Sequence, residues 1–297
     1  MPMNQHTFLK ILEAMRPRQW TKNVLLFAGL FFSKNLLDPH LVKRALAGFC
    51  IFCLLSSSAY LLNDLLDAPR DRLHPTKRHR PIATGALSPR TAVTAMVALM
   101  VVSLIWSWFI SSYFWMCAVA YLLITIAYSC VMKEVYLIDT LIIAMGFIIR
   151  AVSGVIVLRT PSDPVELTSW FVVCVMFLSL LLAFCKRRSE LVNLDEGAAS
   201  FRPVLAMYSL RFMDGAIAVC AAGSILSYTL YTTTTKEPWT MLASLPFVIY
   251  GIFRYLHLVY NTDAGEAPEK TLLGDLPLLG CILLWGMSMV WVYFPSS

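Results

Sequence analysis

Charge is what this sequence has least of. Asp, Glu, Lys and Arg make up 14% of its 297 residues, against roughly 25% in a soluble globular domain, while 58% are hydrophobic. Too little charge to cover a water-exposed surface excludes an ordinary soluble protein and makes a bilayer the natural solvent. Long polar connectors are missing too, and apolar runs joined by short links argue for a single helical domain over 1–297 rather than two soluble ones. Cysteine chemistry has little to work with: the eight cysteines are scattered, and the only close pair, Cys50 and Cys53, has no His or second pair beside it, so it reads as helix packing. The first 20 residues carry Lys10, Glu13, Arg16 and Arg18 and lack an apolar core with a small-residue cleavage site, which argues against a cleavable secretion signal. That amphipathic start is expected to lie on the membrane surface.

What is present in abundance is span-length apolar sequence. A spanning helix needs about 20 largely apolar residues, and nine candidates fall near 20–38, 43–62, 92–110, 113–132, 136–158, 168–185, 212–232, 240–259 and 274–294. The fold class expected is all-α, a polytopic membrane bundle. Most of the 24 Lys and Arg residues fall in the segments that share a side with the N-terminus. Only Lys34, Lys43, Arg44, Arg159 and Lys236 fall on the other side, and Arg150 lies within a span. The positive-inside rule then places the N-terminus and the basic loops in the cytoplasm and Ser297 outside. Topology and an anionic leaflet account for the net charge of +6 without any nucleic acid.

The densest chemistry lies between Asn63 and Arg90, where an apolar helix ends in Asn63-Asp64-Leu65-Leu66-Asp67-Ala68-Pro69-Arg70-Asp71 and a basic cluster follows. Spacings of three and four bring Asn63, Asp64, Asp67 and Asp71 toward one helical face, with Pro69 expected to kink or reset the turn before Asp71. Carboxylates this close repel one another unless a cation screens them, and hard oxygens suit Mg²⁺, which keeps water and phosphate oxygens in its shell. Arg70, Arg72, Lys77, Arg78 and Arg80 supply charge that phosphates would accept. A solvated loop obeying the positive-inside rule explains the bases, but not three acids and an Asn at helical spacing.

N-D-x-x-D-x-x-x-D resembles the first acidic motif of the UbiA superfamily of intramembrane prenyltransferases. The flanks narrow the resemblance: Arg16 to Asn23, His74 to Ala83, Tyr128 to Lys133, Arg150 to Gly154, Lys186 to Leu191 and Phe253 to Tyr255 look like the branch that contains decaprenyl-phosphate phosphoribosyltransferase. The resemblance implies about nine helices around a central cavity open to the cytoplasmic side. It also implies Mg²⁺-dependent transfer of 5-phosphoribose from phosphoribosyl diphosphate to a polyprenyl phosphate. Asn63, Asp67 and Asp71 would be the catalytic residues on the metal, with Asp64 supporting. Donor contacts would come from Lys22, Arg70, Lys77, Arg78, Arg80, Tyr128, Lys133, Asp139, Arg150, Lys186, Arg187 and Glu190, with Asn23 approaching a phosphate. A lipid phosphate is already an anion, so no catalytic His is needed.

Aromatic prenyltransferases of the superfamily carry a second cluster of paired aspartates, whereas this chain reads Lys133-Glu134-Val135-Tyr136-Leu137-Ile138-Asp139, with Asp139 alone at the second acidic position. That favours phosphoribosyl over prenyl transfer, which stays the alternative. Asp139, Gly146 and Arg150 fall on one helical stripe, and an Arg within a span is costly enough to face a cavity or a partner. The loop with Asp195, Glu196 and Arg202 follows the second basic group. A transporter is disfavoured because the polar residues gather at one face rather than at broken helices in mid-membrane. The membrane lipid is the expected surrounding partner, and a homo-oligomer is allowed.

Overall fold

The computed structural model describes residues 5–32, 38–73, 75–159, 168–193, 203–234, 238–262, 265 and 268–293. Lys34, Asp195, Glu196, Arg202, Lys236 and Ser297 lie outside them. The α-helices are α1 (Gln5–Met15), α2 (Ala28–Phe32), α3 (Pro39–Asp71), α4 (Pro89–Ile110), α5 (Ser112–Cys130), α6 (Ile138–Ile156), α7 (Ser169–Val192), α8 (Leu210–Thr233), α9 (Pro238–Leu242), α10 (Leu245–Asn261), α11 (Pro268–Gly274) and α12 (Leu276–Tyr293). Among the described residues no strand occurs, and seven helical stretches are long and apolar enough to cross a membrane: α3 to α8 and the continuous stretch Pro238–Asn261. This is a multi-pass, all-helical membrane protein.

Two of the nine expected spans take other forms. In place of a helix over 20–38, Pro17–Phe27 is a 3₁₀ helix that runs into the five-residue α2. The last expected span is α12, whose apolar part, Leu276–Trp291, is shorter than the seven. The helix starts were written locally. Asp38 accepts from the His40 and Leu41 amides at 2.8 and 3.2 Å ahead of Pro39, and Ser88 accepts from Thr91 at 3.2 Å ahead of Pro89. Ser111 and Ser209 do the same for α5 and α8. Each cap satisfies an amide that the first turn leaves without a partner.

The chain forms two compact units. The first holds the described residues within Met1–Val135 and Ile149–Glu166, and the second those within Tyr136–Ile148 and Leu167–Ser297. In the first unit α3 packs against α4, α5 and the 3₁₀ segment, with Phe52 stacked 5.3 Å from Tyr121 and 5.9 Å from Phe114. A smaller core of Ala14, Leu61, Ile82, Leu87 and Ala92 seats α1 and the loop after α3 on its polar end. In the second unit α7 and α8 form the main pair, with Leu181, Phe184, Cys185, Met213 and Ile217 among the buried residues at its core.

Candidate active site

The acidic residues sit on the last two turns of α3, and the helix runs through Pro69 to Asp71 without the expected break. At about 100° per residue the order around the helix is Asn63, Asp67, Asp71, Asp64, all within an arc of about 100°. The first unit lines this arc with cations. Asn63 donates to Asp67 Oδ2 at 2.9 Å, and Lys133 Nζ is paired with Asp67 Oδ1. At the other edge of the arc, Arg80 Nη1 lies 3.0 Å from Asp64 and 2.7 Å from Asp71, while Arg16 is a second partner of Asp64. Asp64 and Asp71 are buried, at 2% and 4% exposure, so Arg16 and Arg80 supply compensation without which ionised carboxylates would be expelled.

The other sequence-predicted bases of this unit take varied places. Arg70 leaves the acid row and pairs with Glu134 on the surface, where both side chains are about half exposed. An exposed pair of that kind contributes about 0–1 kcal/mol. Arg70→Ala is therefore expected to leave the melting temperature in detergent nearly unchanged, and a large drop would mean that this pair fixes the α3 terminus. Arg78 is exposed in the short 3₁₀ turn Lys77–His79, with Lys77 half-buried beside it. Tyr128 is half-buried near the end of α5, and Lys22 is half-buried on the 3₁₀ segment.

Arg150 is buried and turned toward the 3₁₀ segment. Its Nε donates to Asn23 Oδ1 at 2.8 Å, its Nη2 to the Tyr121 hydroxyl at 2.6 Å, and its guanidinium stands 4.7 Å from the Tyr121 ring centre. Asn23, at 0% exposure, donates in turn to Ser56 Oγ and Cys53 Sγ at 3.2 and 3.3 Å. The Asn23 amide is engaged inside the unit, its oxygen by Arg150 and its nitrogen by Ser56 and Cys53.

In the second unit Asp139 is fully buried against Arg187 and Tyr208. Arg187 Nε lies 2.8 Å from Asp139 Oδ2, and the Tyr208 hydroxyl donates to Asp139 Oδ1 at 2.7 Å. Arg187 Nη1 also reaches Glu190 at 2.7 Å. The Tyr208 hydroxyl accepts the Leu137 amide at 2.9 Å, where Leu137 takes a left-handed φ of 63° just before α6. Burial and the neighbouring Asp139 carboxylate push the Tyr208 phenol up to about 12, so it stays a proton donor to that carboxylate. Lys186 is half-buried, one residue before Arg187. Asp139 and Arg150, on the same helix, therefore serve separate clusters.

The first unit thus brings together Asn63, Asp64, Asp67, Asp71, Arg80 and Lys133; the second joins Asp139, Arg187 and Glu190. Sequence reasoning missed Arg16 as the partner of Asp64, and Tyr208 and Tyr121 altogether. Among the described residues no three His, Cys, Asp or Glu side chains form a ready metal cage. Mg²⁺ does not require one, because it is usually held by one or two carboxylates with water and substrate phosphate completing its shell. The Asn63–Asp67 pair has that hard-oxygen chemistry at the half-exposed edge of the arc, so the donor set fits. The arrangement can neutralise a phosphate-bearing anion with Lys133 and Arg80 beside a cation held by carboxylates.

An all-helical membrane fold whose principal helix ends in an acid row faced by bases is that of an intramembrane transferase acting on phosphorylated substrates. The chain belongs to the UbiA prenyltransferase family, which matches residues 24–293. It is 31% identical over 293 residues to the decaprenyl-phosphate phosphoribosyltransferase of Mycolicibacterium smegmatis, covering 93% of this chain and 89% of that one. It is 30% identical to the protein of the same name from Corynebacterium glutamicum, covering 94% and 85%. Among solved structures it resembles a UbiA homologue from Archaeoglobus fulgidus bound to GPP and Mg²⁺, with a TM-score of 0.74, 18% identity and coverage of 96% and 99%.

Proposed function

We propose that this chain is a membrane-embedded, Mg²⁺-dependent phosphoribosyltransferase that moves 5-phosphoribose from phosphoribosyl diphosphate to a polyprenyl phosphate. The observation that carries this reading is the similarity, over nearly the whole chain, to relatives named decaprenyl-phosphate phosphoribosyltransferase. The bond from ribose C1 to the diphosphate oxygen breaks, and its electron pair leaves with diphosphate. The lipid phosphate oxygen forms the new bond to C1. The nucleophile is already an anion, so no base needs to take a proton.

Asn63, Asp67 and Asp71, with Asp64 behind them, would hold Mg²⁺, which when bound offsets the charge that grows on the leaving diphosphate. Lys133 and Arg80 stand in fixed positions beside the acids and would neutralise the remaining phosphate oxygens, the electrostatic part of the rate enhancement. Lys22, Lys77, Arg78 and Tyr128 are further donor contacts in this reading. The family resemblance adds Asp139, Lys186, Arg187 and Glu190 to the donor-binding set. The excess of Lys and Arg in the loops that carry this chemistry supports a cytoplasmic position for them and for the N-terminus. The whole chain, 1–297, acts as one functional domain.

Purified protein given labelled phosphoribosyl diphosphate, polyprenyl phosphate and Mg²⁺ is expected to form a phosphoribosylated lipid detectable by mass spectrometry. EDTA should stop the reaction and added Mg²⁺ restore it. Prenyl transfer from a diphosphate to an aromatic or other acceptor is the second reading, supported by the match to a family named for prenyl transfer. Turnover of a prenyl diphosphate with none of phosphoribosyl diphosphate would put the second reading in place of the first.

A further inference from the structure

The Pro17–Phe27 helix is a 3₁₀ run of 11 residues, and such runs seldom exceed three or four. Its environment repeats every third residue. Arg18, Thr21 and Val24 are exposed, Gln19, Lys22 and Leu25 half-buried, and Asn23, Leu26 and Gly29 buried. Trp20 begins the inward row, its Nε1 donating to Ser57 Oγ at 3.0 Å. At about three residues per turn, the six steps from Trp20 to Leu26 close two whole turns, so Trp20 and Asn23 meet α3 while Asn23 and Leu26 meet α6. At about 3.6 per turn Leu26 would point about 120° away, and these six steps would be about 3 Å shorter.

Between Pro17 and Gly29 the sequence has no Pro or Gly that would forbid an α-helix. Tertiary contacts must therefore select the stretched form, and α6 supplies two of them one turn apart. Arg150 Nε donates to Asn23 Oδ1 at 2.8 Å. At Gly154 the backbones touch: a Cβ there would lie 2.2 Å from the Leu26 carbonyl oxygen, and one on Gly29 would lie 2.5 Å from that of Gly154. No side chain can be added at this crossing without moving one backbone away from the other.

We propose that Arg150 and Gly154 are positioning residues that hold 17–27 in its stretched form, and so set the distance and angle between Lys22 and Arg16, the left-handed residue just ahead of the segment, whose side chain pairs with Asp64. Rewound as an α-helix, the five steps from Pro17 to Lys22 would turn Lys22 about 100° relative to the start of the segment and shorten it by about 2.5 Å, so the Arg16 contact with the acid row would be lost or Lys22 carried off its face. Arg150 thus acts on the site through the segment that it clamps. The consequence for donor binding rests on reading the α3 terminus as a diphosphate site; the clamp itself does not.

Two variants test this, Arg150→Gln, which removes the fork, and Gly154→Ala, which adds only the forbidden methyl group and serves if the first does not fold. In full-length protein in detergent, deuterium exchange is expected to speed up across 17–29 and to stay unchanged in α4 and α8. Binding of inorganic diphosphate with Mg²⁺, a probe common to phosphoribosyl and prenyl donors, should weaken roughly 10- to 100-fold, the scale of a misplaced contact. In turnover the loss should fall on donor KM more than on kcat. Unchanged exchange in 17–29, exchange raised throughout the chain, or faster exchange with diphosphate affinity intact would each overturn the proposal. If the unmodified protein retains no diphosphate, the reading of the α3 site fails, and the exchange data alone decide whether the clamp exists.

Discussion

Replacing Asp67 by Asn is expected to lower Mg²⁺-dependent turnover by at least about 10³-fold, the scale of losing a principal electrostatic group at a reacting centre, while leaving the amount of folded protein unchanged. Asp67 is the member of the acid row best placed to be spared a structural role. Its side chain is 22% exposed, and its partners are the Asn63 amide and Lys133 rather than a buried arginine. The amide of Asn keeps one oxygen acceptor for Asn63 and removes the charge that a metal needs. Asp64→Asn should behave differently, because Asp64 is buried under Arg16 and Arg80, and taking one partner from buried charges destabilises by about 3–5 kcal/mol. Turnover of labelled donor, compared with size-exclusion profile and melting temperature, separates the two. Near-normal turnover in Asp67→Asn would remove that residue from the metal site.

The second large effect is expected in stability. Asp139→Ala should destabilise the protein by about 3–5 kcal/mol, the cost of leaving one charge of a buried pair uncompensated. Arg187, at 2% exposure, would lose its carboxylate partner and keep Glu190, and Tyr208 would lose its acceptor. Arg187→Met should be similarly costly, and the double variant less costly than the two losses added, since residues in one network are coupled. Melting temperatures of the four proteins in detergent complete that cycle. A stable Asp139→Ala protein with weakened donor binding would leave Asp139 its role as a donor contact and remove its structural one.

The α3 site was legible because its signal is local. Asn63, Asp67 and Asp71 are spaced by a helical period, and of the bases that face them Arg80 follows in the same stretch, while Arg16 and Lys133 come from distant parts of the chain. What stayed hidden depends on pairing across the chain. Arg16 reads as a topology charge until α1 and the 3₁₀ segment fold it back onto Asp64. Tyr208 and Tyr121 carry no motif, and only packing turns their hydroxyls onto Asp139 and Arg150. The apolar content of 20–38 suggested a spanning helix, but composition does not report residues per turn. There the Gly29–Gly154 approach, between positions far apart in sequence, outweighs local preference. Pro69 misled for the opposite reason: so close to the helix end, it left the last turn in place.

The length of α3 has a consequence for depth. Its 33 residues make a rod of about 50 Å, against about 30 Å of hydrocarbon in a bilayer. Held upright, it would leave about 20 Å clear of the lipid tails, and Asn63 to Asp71 form its polar end. Such a rod would lift the acids toward the height at which lipid headgroups meet water. A soluble sugar diphosphate and the phosphate of an anchored isoprenoid can meet at that level, neither having to leave its own phase.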